Sequence, residues 1–251
     1  MGLWQTLTTK HQYTSLFNPR IGITIPTINR ADLLSESLAD LSQNWGDKLT
    51  KLIIVDNGKQ NIPAIIPENL KPQTIVYEED TNLGVAASWN KGIHAGYFKE
   101  PVVDHMLILN DDIVLGKTPD IIYNLIEKTP GYSILGGNYY WAVLMISRLC
   151  IDTIGYFDPK FFPAYFEDND YSRRENLALN NRRIVEDLTP SVKRGSMTVQ
   201  KDRSLNSNFS QNAKYYQQKW GGSPDRERFI SPFNKPPHPD NPKGVLYHAY
   251  P

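Results

Sequence analysis

MLILNDDI, residues 106–113, decides how this chain is read. Four apolar residues, Met106 to Leu109, run straight into Asn110, Asp111 and Asp112, and the chain turns apolar again at Ile113. A short apolar run bounded by turn residues is the pattern of a buried strand. Two adjacent carboxylates at its end repel each other and are costly to desolvate. Two readings stand. One is a strand-end turn in which Asn and Asp bond their own backbone; the other is a site for a divalent cation. The rest of the chain must decide.

Three comparable runs precede this one. IGITI (21–25) is β-branched and stops at Pro26, KLIIV (51–55) closes on Asp56-Asn57-Gly58, and QTIVY (73–77) is the third. Helical patterns fill the gaps. Leu34, Leu38, Leu41 and Trp45 share one helical face, with Thr27 or Asn29 placed to cap its start. Ala86, Trp89, Ile93 and Tyr97 recur at helical spacing, and Thr118-Pro119 opens DIIYNLIEK as a cap followed by proline. Strands alternating with helices over the first 130 residues predict an α/β fold, a parallel sheet with helices on both faces. Ligands of such sheets sit beyond the carboxyl ends of the strands. The clusters Thr27–Arg30, Asp56–Gly58 and Asn110–Asp112 each follow a strand directly, so they gather along one edge. That convergence favours chemistry at 110–112.

Beyond residue 130 the pattern changes. YSILGG, YYWAVLMIS and RRIVED read as strands, and FFPAYFEDNDYSRRENLAL as an aromatic loop feeding a helix. NSNFSQNAKYYQQKWGG reads as a helix up to its glycine stop, and the proline-rich tail SPFNKPPHPDNPKGVLYHAYP is irregular.

Bulk properties narrow the classes. The 251 residues carry 27 basic and 27 acidic side chains, so no global basic field gathers nucleic acid. The single cysteine, Cys150, excludes an internal disulfide framework and a thiolate zinc site; it fits a reducing, cytoplasmic compartment and reads as a buried structural thiol. No apolar run is long enough to span a membrane, and the N-terminus lacks a secretory core. Gly2 with Thr6 meets the loose myristoylation pattern, which is too common to carry weight. Neither G-x-x-x-x-G-K-[ST] nor G-x-G-x-x-G is present where a phosphate loop would need it. A sheet that binds a nucleotide without a glycine cradle needs another way to hold diphosphate charge. Mg²⁺ or Mn²⁺ on strand-end carboxylates supplies one, and Asp112 with Asp111 fits that role.

ITIPTINR, LIIVDNG, TNLGVAASWNKGI, LILNDDI and IGYFDPKFFPAYFEDNDYSRR occur here in the order in which similar motifs occur in family 2 inverting glycosyltransferases of the GT-A fold. The chain resembles that family from about residue 20 to about 200, most of all its rhamnosyltransferase-like branch; NAKYYQQKWGG is also similar to a helix near the end of such enzymes. The resemblance implies one GT-A domain over 1–205, with a nucleotide-sugar half at about 20–115 and an acceptor half at about 116–205. A C-terminal helix and tail, 206–251, would pack on it or extend from it. The donor it implies is a UDP- or dTDP-linked sugar, the acceptor a glycan, glycolipid or glycoprotein hydroxyl, and the cofactor Mn²⁺ or Mg²⁺. A lipid-linked acceptor would require peripheral membrane contact through the aromatic loop or the tail.

Matched position by position, the resemblance sets Thr27 and Arg30 beside the nucleotide base and gives Asp56 its imino edge. Asn82, Gly84 and Asn90 match the segment that closes over the nucleotide. Asn110-Asp111-Asp112 stands in place of a D-x-D triplet: metal on Asp112, ribose at Asn110, ribose or metal at Asp111. Asp168 is implied as the base, Glu167 as a holder of acceptor hydroxyls and Asp170 as a further acceptor-side acid. Read without the resemblance, those acids simply complement a helix dipole, with Arg173 and Arg174 as pairing partners or exterior residues. One departure stands out. Where the family has a metal-binding histidine, this chain has Lys193, which offers a cation no lone pair but can meet phosphate. His238 and His248 lie in the tail and could fold back as replacements, whereas His94 and His105 read as structural. A sugar-1-phosphate nucleotidyltransferase and an inactive sugar- or nucleotide-binding module are the competing readings; the first lacks its glycine-rich loop in PTINRADLL.

Overall fold

The computed structural model describes residues 19–128, 134–136, 141–179, 184–186, 198, 203–236 and 244–251. Its strands are β1 (Ile21–Thr27), β2 (Lys51–Asp56), β3 (Thr74–Glu78), β4 (His105–Leu109), β5 (Ile134–Gly136), β6 (Val143–Ser147) and β7 (Ile184–Glu186). They form one sheet in the order β3-β2-β1-β4-β6-β5-β7. Strands β1 to β4 run parallel, as the alternation predicts, while β6 is antiparallel to both β4 and β5. The helices are α1 (Ala31–Asn44), α2 (Gly84–Phe98), α3 (Pro119–Lys128), α4 (Arg148–Ile154), α5 (Glu167–Leu179) and α6 (Phe209–Trp220).

Successive strand residues point to opposite faces, and here both faces are covered. Ile21, Ile23, Ile25, Leu107 and Leu109 meet Leu34, Leu38, Leu41 and Trp45 around α1, with Ile122 and Ile126 of α3. Their alternates Ile53, Val55, Met106 and Ile108 meet Trp89 and Ile93 of α2 and Cys150, Ile151 and Ile154 of α4. Helix α2 sits close to β1, since a Cβ on Gly92 would fall 1.8 Å from Thr24 Oγ1. Beneath its far end the buried Lys51 ammonium donates to the carbonyls of Ala95 (3.0 Å) and Lys99 (2.5 Å), satisfying groups that a helix C-terminus leaves open.

The expected caps do not form. Arg30, not Thr27 or Asn29, holds the cap position of α1, and it makes no side-chain cap bond. At α3 the Thr118 carbonyl accepts from Ile122 N at 3.0 Å, but its buried hydroxyl has no hydrogen-bond partner among the described residues.

The strand order creates the ligand crevice. From β1 the chain steps outward to β2 and β3, then crosses back to β4 on the other side of β1. The carboxyl ends of β1 and β4 therefore flank a topological switch point, where open α/β sheets bind ligands. At the opposite end of the chain, α6 packs Tyr216 and Trp220 against Phe161, and His248 forms a bridge to Gly155. Among the described residues no helix is long and apolar enough to cross a membrane.

Candidate active site

A cavity of about 240 Å³ opens at the switch point. Thr27 at the end of β1, Asn110, Asp111 and Asp112 after β4, and Glu167 and Asp168 at the start of α5 all line it. The two acidic groups, more than fifty positions apart in sequence, face a single space.

Asp111 is fixed from three directions. Thr27 Oγ1 donates to its Oδ2 (2.9 Å), Thr198 Oγ1 to its Oδ1 (2.7 Å), and Ser37 Oγ to its backbone carbonyl (3.1 Å). Burial pushes its carboxyl up to about 6, against the pull of the two threonine hydroxyls. Asp112, buried beside it, also lines the cavity. Of the α5 acids that line the same cavity, Glu167 is buried and Asp168 is partly open, with Asn169 N donating to Asp168 Oδ1 at 2.7 Å. Burial, then the charge of Asp168, hold the Glu167 carboxyl well above the carboxylate range, and burial raises Asp168 as well.

The loop entering α5 is strained and stapled. Tyr165 and Phe166 both have positive φ, 78° and 73°, a conformation costly for side chains of that size. Asn212 of α6 holds it by donating through Nδ2 to the carbonyls of Phe162 (3.2 Å), Ala164 (2.8 Å) and Tyr165 (3.3 Å). From the other side, Val85 N donates to Pro163 O at 2.8 Å. The Gly84 turn packs on the same loop: at φ 76°, an added Cβ would lie 2.8 Å from Phe162 Cδ2 and 2.9 Å from Pro163 O. Gly84 N is held in turn by Asn82 Oδ1 (2.8 Å). The N-terminus of α2, the end of positive dipole, thus borders the cavity.

Several expected residues lie elsewhere. Asp56 ends β2 but is absent from the wall; fully buried, it accepts from Gly58 N (2.8 Å), Gln60 N (2.6 Å) and Gln60 Nε2 (2.9 Å), the turn role open to any strand-end Asp. Its neighbour Asn57 reaches the wall. Arg30 is buried off the wall in a two-point pair with Asp32 (2.9 and 3.0 Å), its charge still felt by Asp111. Asn90 closes on the chain, not on a ligand: it donates to Phe157 O (2.9 Å) and accepts from Phe157 N (2.8 Å). Lys193 and His238 lie outside the described residues.

Asp170 is the largest correction. Its side chain is fully buried and belongs to a second cluster. Its Oδ2 accepts from Arg174 Nε (2.9 Å) and its Oδ1 from Trp220 Nε1 (2.9 Å), while Lys219 Nζ sits 2.7 Å away. The same ammonium donates to Asp158 Oδ2 (2.7 Å) and lies 3.2 Å from His248 Nε2. Since ammonium only donates, His248 Nε2 accepts. Burial first, then the charges of Arg174 and Lys219, push this imidazole down to about 4, so it is neutral. Ligand-type atoms of Asp158, Asp170 and His248 lie within 4.8 Å of one another, a spacing that could suit a metal. The cation in this cluster is the Lys219 ammonium. His248 does fold back, but onto this cluster and not onto the cavity wall.

Residues 23–163 match the Glycosyl transferase family 2 model. The chain belongs to glycosyl transferase family 2. Among solved structures it is similar to a mannosyltransferase from Pyrobaculum calidifontis in complex with GDP-Man and Mn²⁺, at TM-score 0.54 and 15% identity over 68% of this chain and 56% of that one. It is also similar to S. aureus TarS 1-349 in complex with UDP-GlcNAc, at 0.55 and 15% over 78% and 66%. The third is glucosyl-3-phosphoglycerate synthase from Mycobacterium tuberculosis with Mn²⁺, UDP and phosphoglyceric acid, at 0.55 and 11% over 77% of each chain. These likenesses establish the GT-A fold. No curated protein matches this sequence. This family 2 chain spans 56% of the mannosyltransferase's length. Its C-terminal helix α6, which staples the α5 loop, lies beyond the matched residues.

Proposed function

We propose that the protein is an inverting glycosyltransferase, moving a sugar from a UDP- or dTDP-linked donor to a hydroxyl of a glycan, glycolipid or glycoprotein. The observation that carries this reading is the single cavity shared by Asn110–Asp112 and Glu167–Asp168. Inversion needs an acceptor hydroxyl on the face of the sugar opposite the leaving diphosphate. Asp168 takes that hydroxyl's proton as oxygen bonds the anomeric carbon and the bond to diphosphate breaks. Glu167, beside it, holds an acceptor hydroxyl. Burial, then the charge of Asp168, push its carboxyl up.

The donor end fits a divalent cation. The oxygen side chains of Asn110, Asp111 and Asp112 meet the cavity together, and hard cations take such ligands. Asp112 would hold Mn²⁺ or Mg²⁺, with Asn110 toward the ribose, and when bound the ion supplies charge to offset the diphosphate. Thr27 acts through Asp111, which it orients. Asn82 and Gly84 shape the α2 N-terminus for phosphate. Lys193 is kept as a phosphate contact on the motif match alone. The rhamnosyltransferase-like branch rests on motif order, and cytoplasmic placement with peripheral membrane contact on composition and the aromatic loop.

The test pairs two variants. With Mn²⁺ and nucleotide sugars, purified protein releases nucleotide; Asp168→Asn lowers this by about 10³-fold or more while nucleotide still binds. Asp112→Asn weakens nucleotide binding in Mn²⁺ but not in EDTA. A wild-type protein that binds nucleotide yet shows no turnover with any acceptor class points to the inactive module.

A further inference from the structure

Trp141 stands just before β6 with φ 65°, in the left-handed region. That conformation is an outlier for a bulky side chain; it persists only where the surrounding structure imposes it, and such residues gather at binding and active sites. Here it redirects a ring. Side chains alternate along a strand: Val143 and Met145 of β6 point into the layer of α1 and α3, Leu144 and Ile146 into the layer of α2 and α4. By that count Trp141 belongs with Val143. It packs instead against the other layer, its ring meeting Phe157 at 6.5 Å and 83° and Tyr171 at 6.4 Å and 73°. Trp45, Trp89 and Trp220 are buried, whereas Trp141 is only half-buried and lines the cavity.

Its neighbours place it in the site. Asn110 N donates to the Ala142 carbonyl (3.1 Å), which ties the backbone beside Trp141 to the start of the 110–112 triplet. Tyr171, which the ring meets, lies one turn of α5 beyond Glu167. Trp141 is therefore anchored on one side to the acids of the donor end and on the other to the helix that carries Asp168. The reaction requires the transferred sugar in that interval, between diphosphate and base. A pyranose has C–H faces, and a fixed aromatic side chain suits such a face. We propose that Trp141 is a specificity-determining residue on which the transferred sugar packs one face of its ring. This rests on the donor-sugar reading above. It adds a selection rule: a donor whose sugar turns a hydroxyl onto the indole is disfavoured, because that hydroxyl loses water without gaining a partner.

The experiment separates the two claims. Wild type, Trp141→Ala and Trp141→Phe are titrated calorimetrically in Mn²⁺ with UDP, GDP and dTDP, then with UDP-glucose, UDP-GlcNAc, GDP-mannose and dTDP-rhamnose. For whichever donor binds, the ratio of its Kd to that of its bare nucleotide rises about tenfold in Trp141→Ala and about threefold or less in Trp141→Phe. The bare nucleotide's Kd stays within about twofold. A second measurement uses wild type alone and needs no folded variant. With phenylalanine and tyrosine deuterated and Mg²⁺ in place of Mn²⁺, saturating the tryptophan ring protons transfers to the C–H protons of one face of the bound sugar more than to the other. If wild type binds no nucleotide sugar, the donor-sugar reading fails and this inference with it. If one binds but the ratio is unchanged in Trp141→Ala, if the bare nucleotide weakens equally, or if neither face of the sugar is favoured in the transfer, the inference is overturned while the donor-sugar reading stands.

Discussion

Replacing Lys219 by methionine tests how the structure holds α5. The ammonium is 1% exposed and lies 2.7 Å from both Asp158 and Asp170, which are 3% and 0% exposed. Arg174 remains to Asp170, so the charge left unbalanced is chiefly that of Asp158. Breaking a buried pair from one side typically costs 3–5 kcal/mol, a large share of the roughly 5–15 kcal/mol that holds a domain together. Urea unfolding at pH 7, followed by tryptophan fluorescence, is expected to show a loss of about 3–5 kcal/mol, or a Tm lower by on the order of 6–20 °C. Adding Asp158→Asn restores charge balance and recovers at least about half of it. The pH dependence gives an independent check. In the wild type burial pushes both carboxyls up, but Lys219, joined by Arg174 at Asp170, holds them below their ordinary values. Their stabilisation is therefore present above the unfolded carboxylate pKa and is lost as pH falls through the depressed folded values. Without Lys219, Asp158 keeps the Tyr215 hydroxyl (2.9 Å) and Lys160 N (3.1 Å) as donors but loses its main charge partner; burial is then expected to outweigh them, so that its folded pKa rises above the unfolded one and the sign reverses. His248, 3.9 Å from Asp158, then becomes free to protonate too. The gap between variant and wild type should narrow from pH 7 to about pH 4.5. A gap that stays constant, or a loss under about 1 kcal/mol at pH 7, would refute this account of the cluster.

Three further outcomes follow from named contacts. Asn212→Ala leaves the carbonyls of Phe162, Ala164 and Tyr165 without their shared donor; a stability loss of about 1–3 kcal/mol is expected, with kcat falling further than the melting point alone explains. Thr198→Val removes one of the two hydroxyls on Asp111 and should raise the donor KM about tenfold, while Thr198→Ser stays near wild type. His248 has a folded pKa of about 4 against an ordinary 6.5, so unfolding takes up a proton in that window and wild-type stability declines as pH drops from 6.5 towards 4. In His248→Gln that arm of the pH–stability curve flattens; an unaltered arm would rule the residue out.

What was legible in the sequence is what local pattern and strand position fix. Leu34, Leu38, Leu41 and Trp45 are buried together because a helical period put them on one face. Asn110–Asp112 reach the cavity because they follow β4 directly and the topology decides where strand ends go. Residues of the same chemical types went astray where a distant partner claimed them. Asn90 is taken by Phe157, 67 positions on, and Asp170 by Trp220, 50 positions on. Asp56 instead satisfied the turn it opens. Thr198 reaches Asp111 across 87 positions, and nothing in its own surroundings marks it.

The cluster around Lys219 explains why a segment beyond the family match belongs to the site. Glu167 and Asp168 open α5, and a carboxylate can serve as a base only if that first turn is held at a fixed angle to the sugar. Less than a turn further on, Asp170 is gripped from α5 itself by Arg174 and from α6 by Lys219 and Trp220. Arg174 also donates to Ile154 O (2.7 Å) and Tyr156 O (2.8 Å), so the grip extends to the end of α4. The tail closes the arrangement through backbone bonds of His248 with Ile154 and Tyr156. Two carboxylates on the cavity wall are thus aimed by two that never touch it. The two carboxylates off the wall are paired in place with Lys219, while Asp168 stays partly open at the cavity, as the role of base proposed for it requires.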